Sequence, residues 1–378
     1  MIEQVHTPYL DEIARVGGYT RAYVGGEKGA YSETPTISAV GYNSLLTGTW
    51  VNKHNAWGNE IKAPNYHYWT IFRFMEEQYP EKQTAIFSTW LDNRTKLIGE
   101  GLPQTGVTLD YHLDGFENDT VQFPHTTDKK FIHQIDEHVA REAARYVKAR
   151  GPDLSWVYLQ YTDDMGHQFG DSQPMYDAVA GADEQVGRIW KAIRYREQHY
   201  AEDWLILITT DHGRDEKTGK HHGGQSERER ATWMVTNAKN LNGYFKAEEP
   251  GIVAVFPTLT RFLGLEIPTA RAREIDGVPL IGAVSLADPR ASYRKGNIKL
   301  SWKALEASGK VKVWVSTTNH FATGGKDEYH LVGEAPLDEE TFRFEIQDPP
   351  TSLHKIVLEA PHNRVNTWVV LENHDTKP

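Results

Sequence analysis

Asp163, Gly166 and His167 stand in the run Asp-Asp-Met-Gly-His, directly after the apolar stretch Leu154–Tyr161. A hard carboxylate beside a borderline imidazole suits a zinc-type ion. Glycine lets the chain turn so that an Asp and a His four apart face one point. The ordinary alternative is a polar loop with a capping Asp. A second cluster, Thr209-Thr210-Asp211-His212-Gly213, closes another apolar stretch, and Lys220-His221-His222-Gly223-Gly224 follows it. Asp211 and three His within twelve residues make either a dense ligand set or a solvated His-rich loop. The third candidate is Thr34-Pro35-Thr36-Ile37-Ser38-Ala39-Val40, followed by Ser44, Thr47-Gly48, His54 and Asn59. A hydroxyl beside two metal ions can be ionised by coordination and attack phosphorus. Taken alone, this is a Ser/Thr-rich helix start with Ser38 as the N-cap.

Such segments act only if regular elements bring them to one place. Phe131–Arg150 reads as a helix, with Ile132, Ile135, Val139, Ala143 and Val147 at helical spacing. Leu154–Tyr161 is a short apolar strand, Pro174–Tyr200 a second long helix, and Thr84–Trp90 another strand. Trp204–Thr209 is the most buried-looking strand of the chain. This alternation predicts an α/β fold, a mostly parallel sheet with helices on both faces. Ligands collect at the carboxyl ends of strands in such sheets, which is where the Asp and His clusters fall. Beyond Ala287 the texture changes to short alternating strands: Ile298–Trp302, Val311–Val315, Phe342–Ile346, Lys355–Leu358 and Thr367–Leu371. They predict a small C-terminal β-sandwich. The expected domains are residues 1–286 and 287–378, joined over Ala283–Arg290. Trp302, Trp314, Phe321, Tyr329 and Trp368 read as the core of the tail; a sugar-binding surface is the alternative.

Composition narrows the chemistry. The chain has 378 residues, 52 acidic against 41 basic, for a net charge of −11. It carries no basic block or stripe, which argues against a dedicated nucleic-acid surface and leaves room for a small nucleotide as substrate. Cysteine is absent, so no disulfide, thiolate nucleophile or thiolate metal site exists, and any metal must use His, Asp or Glu. No apolar run approaches the ~18 residues of a membrane span, and the first twenty residues do not read as a signal peptide. Arg214, Asp215, Glu216 and Lys217, beside the second cluster, read as a solvated loop or as substrate-selecting residues.

Together the three segments resemble the alkaline phosphatase superfamily, and most closely its nucleotide pyrophosphatase/phosphodiesterase branch. That branch carries P-T-x-T, then T-G, then H-G-x-x-x-N. Pro35-Thr36-Ile37-Ser38 matches the first, with Ser in place of Thr, and Thr47-Gly48 and His54 follow at the family spacing. Asn59 lies 21 residues after Ser38, the family's distance from nucleophile to phosphate-binding Asn. The branch's D-x-x-G-H is matched by Asp163 and His167, its D-H-G by Asp211-His212-Gly213, and its H-G by His222-Gly223. The resemblance covers roughly residues 5 to 282, including Phe256-Pro257-Thr258-Leu259, and leaves out the tail.

The resemblance implies two zinc ions. Asp163, His167 and His222 would hold one, Asp211 and His212 the other, with Ser38 bridging. His222 is preferred to His221 because it precedes Gly-Gly. The implied reaction is phosphodiester or nucleotide pyrophosphate hydrolysis through a phospho-seryl intermediate, with Asn59 on the non-bridging oxygens. Monoesters share the same metal pair, so a monoesterase is the alternative. The chain departs from the sulfatase branch, which carries C/S-x-P-x-R, since there is no Cys and Ser38 is followed by Ala39-Val40-Gly41. The related phosphoglycerate mutase needs a large inserted domain, for which 125 residues between Ser38 and Asp163 leave no obvious segment. The family also begins with a strand ending in Asp-Gly that supplies a ligand of the second metal. It lies upstream of a T-P-x-L-D segment, here Thr7–Asp11, so it is expected ahead of this start, together with any export signal. Its loss would leave a gap in the sheet; a non-catalytic phosphate- or glycan-binding module is the reading for that case.

Overall fold

The structure is a computed structural model that describes residues 2–346 and 351–371. Helix α1 (Pro8–Val16) leads into strand β1 (Gly18–Tyr23), followed by α2 (Ser38–Thr47), α3 (Val51–His54) and α4 (Ile71–Gln78). Strands β2 (Thr84–Ser88) and β3 (Tyr111–Leu113) precede α5 (Lys130–Arg150) and β4 (Leu154–Tyr158). Then come α6 (Tyr161–Phe169), α7 (Gln173–Tyr200), β5 (Leu207–Thr209), α8 (Glu227–Arg230) and β6 (Ala231–Thr236).

The predicted helices form because one stripe of each is apolar. Ile132, Ile135, Val139, Ala143 and Val147 of α5 are all buried, facing Ile189, Trp190 and Ile193 of α7. The N-terminus of α1 has no side-chain cap of its own. Asp183 of α7 supplies one, accepting from Leu10 N at 2.8 Å and Tyr9 N at 3.1 Å, a contact of about 1 kcal/mol.

The sheet is divided. β2 runs parallel to both β3 and β4, while β6 pairs antiparallel with β1 and β5. The two groups, β3-β2-β4 and β1-β6-β5, share no ladder among the described residues. Only the first is parallel, where a mostly parallel sheet was expected. The division also corrects the burial expected of Trp204–Thr209. β5 is half-buried along its whole length, because it has a ladder partner on one side only; the fully buried strand is β2, flanked on both sides. β4 likewise ends its group and is half-buried after Leu154. The apolar residues of both edge strands, Val157 and Ile208 among them, still pack into one cluster with Phe87 and Ile135.

The tail holds β7 (Leu286–Arg294), β8 (Asn297–Ala304), β9 (Lys310–Ser316), β10 (His330–Pro336), β11 (Thr341–Glu345), β12 (Leu353–Glu359) and β13 (Arg364–Val370). β7 and β10 were not foreseen, and β7 occupies part of the expected junction. The strands form two antiparallel sheets, β11-β8-β7 and β10-β9-β12-β13. Trp302, Phe321 and Trp368 are buried. The core is continuous across the junction: Leu300, Val313 and Ile356 cluster with Trp50, Met234 and Ile252. Two buried lysines stitch the same boundary. Lys53 Nζ donates to Asp276 Oδ1 (2.5 Å), Glu274 O (2.7 Å) and Asn366 Oδ1 (2.8 Å). Lys355 Nζ donates to Glu274 Oε1 (2.5 Å) and Asp327 Oδ2 (2.7 Å). Both ammoniums lie over the Trp368 ring, at 5.3 and 5.2 Å from its centroid.

Candidate active site

Ser38 is the first residue of α2, not its cap. Extended Ile37 (φ −116°, ψ 146°) takes the cap position, which frees the Ser38 hydroxyl from capping duty. Its Oγ lies 3.2 Å from His212 Nε2 and is almost fully buried. Gly41, one turn along α2, lets the end of β5 come close: a Cβ there would stand 2.8 Å from Asp211 O. Asn59 Oδ1 accepts the Ala39 N–H at 3.0 Å. That bond fixes the amide orientation and leaves the Nδ2 hydrogens free to donate beside Ser38.

The expected strand Leu154–Tyr161 stops at Tyr158, and Tyr161 opens α6. The cause is Asp136, a buried carboxylate on α5. It accepts from Gln160 N (3.0 Å), Tyr161 N (2.7 Å) and Thr89 Oγ1 (2.5 Å), satisfying donors at the start of α6. Burial pushes its pKa up to about 7. Asp163 and His167 therefore sit one helical turn apart on one face, with His167 Nε2 3.4 Å from Asp163 Oδ2. Gly166 makes no turn between them. It leaves room for the Arg214 guanidinium, whose Cζ a Cβ there would meet at 2.2 Å.

Arg214 is buried, which overturns the solvated-loop reading at that position. Its Nη2 donates to Asp163 O (2.8 Å) and Oδ1 (2.5 Å), and its Nη1 to Lys220 O (3.1 Å). Asp215 next to it organises the loop instead, accepting from the backbone N–H of Lys217, Thr218, Lys220 and His221. These hydrogen bonds, that of His221 first, hold its carboxyl well below the usual range.

His222 reaches the cluster and His221 is exposed. Thr36 clips the His222 loop to the Ser38 segment: Gly223 N donates to Thr36 Oγ1 at 2.9 Å, and that hydroxyl donates to Gly224 O at 2.9 Å. Downstream, Ser226 and Glu229 form a capping box on α8 that also takes the Gly224 N–H. That signature, Ser-x-x-Glu, was legible in the sequence.

Two hydrogen bonds settle the histidine tautomers. His222 Nδ1 faces Thr36 O at 2.8 Å, and His212 Nδ1 faces Gly213 O at 2.9 Å. A carbonyl only accepts, so both Nδ1 atoms carry the proton and both Nε2 lone pairs point into the site. Burial and the neighbouring His212 hold the His222 pKa down, in keeping with a neutral ring. The two rings stack at 3.7 Å and 14°. His222 Nε2 lies 3.1 Å from His167 Nε2, and Asp211 Oδ2 lies 3.3 Å from His212 Nε2. Ligating atoms of Asp163, His212 and His222 lie within 4.8 Å of one another. Burial raises the Asp163 pKa, but the hydrogen bond with His167 and the Arg214 charge outweigh it and keep the carboxylate ionised.

The pattern is not a Ser-His-Asp relay. Such a relay needs the carboxylate on Nδ1, and here Ser38 and Asp211 both face Nε2 while Nδ1 is taken by a carbonyl. Converging Nε2 lone pairs and carboxylates, with no thiol in the chain, instead fit a borderline divalent cation. The seven residues Ser38, Asn59, Asp163, His167, Asp211, His212 and His222 are thus brought to one place. His54 is not among the donors. It is fully buried, with Nε2 on Ser44 Oγ (3.0 Å) and Nδ1 accepting from Ala56 N (3.2 Å).

The model of a protein family described as type I phosphodiesterase / nucleotide pyrophosphatase matches residues 1–256 of the chain. A curated 2,3-bisphosphoglycerate-independent phosphoglycerate mutase from Natronomonas pharaonis is 25% identical over 135 residues, 35% of this chain. The match spans about a quarter of that protein's length. Human ectonucleotide pyrophosphatase/phosphodiesterase 5 is similar in structure with a TM-score of 0.48 and 12% identity, over 70% of this chain and 92% of that one. An inactive variant of the murine protein, in complex with AMP, gives a TM-score of 0.47 and 13% identity, over 71% of this chain and 92% of that one.

Proposed function

We propose a catalytic reading from a plain premise: this chain belongs to the type I phosphodiesterase / nucleotide pyrophosphatase family. It is a hydrolase of phosphoric esters; the finer reading is a metal-dependent phosphodiesterase or nucleotide pyrophosphatase acting through Ser38. Two divalent ions, zinc by donor type, would be held by Asp163, His167 and His222 and by Asp211 and His212, with the Ser38 Oγ beside His212. When bound, they supply Lewis-acid stabilisation of charge on the phosphoryl group and on the ionised hydroxyl. The protein's own residues do the rest. Ser38 Oγ sits at the N-terminus of the ten-residue helix α2, where the helix dipole favours both an alkoxide and a phosphate. It attacks phosphorus, the P–O bond to the leaving group breaks, and water then hydrolyses the phospho-seryl ester. Asn59 Nδ2, freed by the Ala39 bond, donates to a non-bridging oxygen as charge builds there. Thr36 and the Ser226–Glu229 box hold His222 against the Ser38 segment throughout. Residues 287–378 we read as a β-sandwich that supports the catalytic unit of residues 1–286 through their common core.

The observation that carries this reading is the approach of Ser38 Oγ to His212 Nε2 at 3.2 Å, with that nitrogen's proton held on the far side of the ring. The test is Ser38→Ala, assayed on bis-p-nitrophenyl phosphate and on the monoester, with metal content measured in parallel. Turnover is expected to vanish with zinc content unchanged, and the wild type is expected to prefer the diester. Full activity in the variant sinks the nucleophile assignment; preference for the monoester redirects the substrate class.

A further inference from the structure

β4 and β5 carry the metal-ligating residues at their carboxyl ends, yet they belong to different sheets. Among the described residues no ladder joins them, and the tie between Asp163 and the end of β5 is a side-chain brace. We propose that Arg214 is that brace: a positioning residue that locks the Asp163 carboxylate and the loop before His222 to the end of β5, and thereby sets metal affinity. The inference rests on the catalytic reading above.

The geometry is specific. Arg214 follows His212 by two residues, so its backbone belongs to the β5 side. Its guanidinium reaches α6 and holds Asp163 twice, at the carbonyl O and at Oδ1. Its other arm holds Lys220 O, two residues ahead of His222. One rigid fork thus ties the three segments that supply the ligands. With Oδ1 engaged, Oδ2 is the oxygen turned to His167 at 3.4 Å. Arg214 is 7% exposed, which leaves it poorly placed to meet substrate directly. Gly166 completes the design, because any side chain there would occupy the space of the guanidinium. A glycine inside a helix is ordinarily unfavourable, and this contact explains it. Residues that orient metal ligands in this way typically change affinity by roughly 10- to 100-fold when removed.

The experiment is a zinc titration against a chromophoric chelator, on the full chain, for wild type, Arg214→Met, Arg214→Lys and Gly166→Ala, with thermal unfolding as a control. Arg214→Met is expected to weaken zinc by roughly 10- to 100-fold. Arg214→Lys is expected not to restore it, because a point charge lacks the fork. Gly166→Ala, which keeps Arg214 but evicts its guanidinium, is expected to weaken zinc in the same way, and stands in if Arg214→Met fails to fold. Unchanged zinc affinity in Gly166→Ala overturns the proposal, as does full rescue by Lys. So does an Arg214→Met variant that binds zinc normally but loses affinity for inorganic phosphate, which would make Arg214 a substrate contact. A wild type that binds no zinc sinks the catalytic reading and the brace together.

Discussion

At the scale of single residues, the site is governed by which nitrogen of each histidine carries its proton. His212 and His222 share their residue type with His221 and His54, and the sequence tells them apart only by the motifs around them. Their backbone partners make them donors of an Nε2 lone pair. His54 has the opposite fate: burial drives its pKa down to about 3. A histidine whose folded pKa lies below its unfolded value takes up a proton on unfolding, so stability is full above about pH 6.5 and falls as the solution is acidified towards the folded value. Over that window the loss approaches about 1.4 kcal/mol per pH unit. Urea unfolding of wild type and His54→Gln between pH 4.5 and 7 checks this. The wild type should show a steeper loss on the acid side, while equal slopes would show that His54 protonates in the folded protein.

At the scale of elements, α2, α6 and β5 must approach closely, and small residues decide how closely. Gly41 is the contact between α2 and the end of β5. Gly41→Ala adds a methyl that meets backbone, since Asp211 O would lie 2.8 Å away and Asp211 Cβ 3.1 Å. In an open helix the change would stabilise; here overpacking should cost about 1–3 kcal/mol. It should also displace Asp211, so kcat should fall more than the melting temperature alone accounts for. A variant as stable and active as wild type would show that the two elements are not in contact. The same scale shows why α6 begins where it does. A buried carboxylate on α5, among Ile132, Ile135 and Val139, takes its first free N–H groups. An acidic residue on the apolar stripe of a helix was the visible sign, but its partner lies on another element.

At the scale of the molecule, the tail shares a core with the rest of the chain. Its inward residues complete the core around Trp50, Met234 and Ile252, and Lys355 and Lys53 tie Glu274 and Asp276 to it. Lys355→Met leaves Glu274 and Asp327 buried without their cation, and breaking one partner of such a network costs about 3–5 kcal/mol. Chemical denaturation should show a loss of that size with a single transition. A change below about 1 kcal/mol, the range of surface pairs, would mean that solvent reaches the network. No helix among the described residues is long and apolar enough to cross a membrane.

The sequence by itself determined the helices α5 and α7, five of the tail strands and the residue types of the site. Those follow from local periodicity and from motifs whose spacing is covalent. It also placed Asp163 and Asp211 after strands, because a short apolar run ending in polar residues reads the same in any context. Tertiary structure alone decided the strand pairing, since pairing is a contact between distant segments, and it showed β5 half-buried where its apolar run reads as fully buried. It decided the role of Gly166, which in sequence is a turn and in space is the seat of a guanidinium. It also turned Arg214 from a loop residue into a buried one, because burial of a charge depends on the carboxylate that folding brings to meet it.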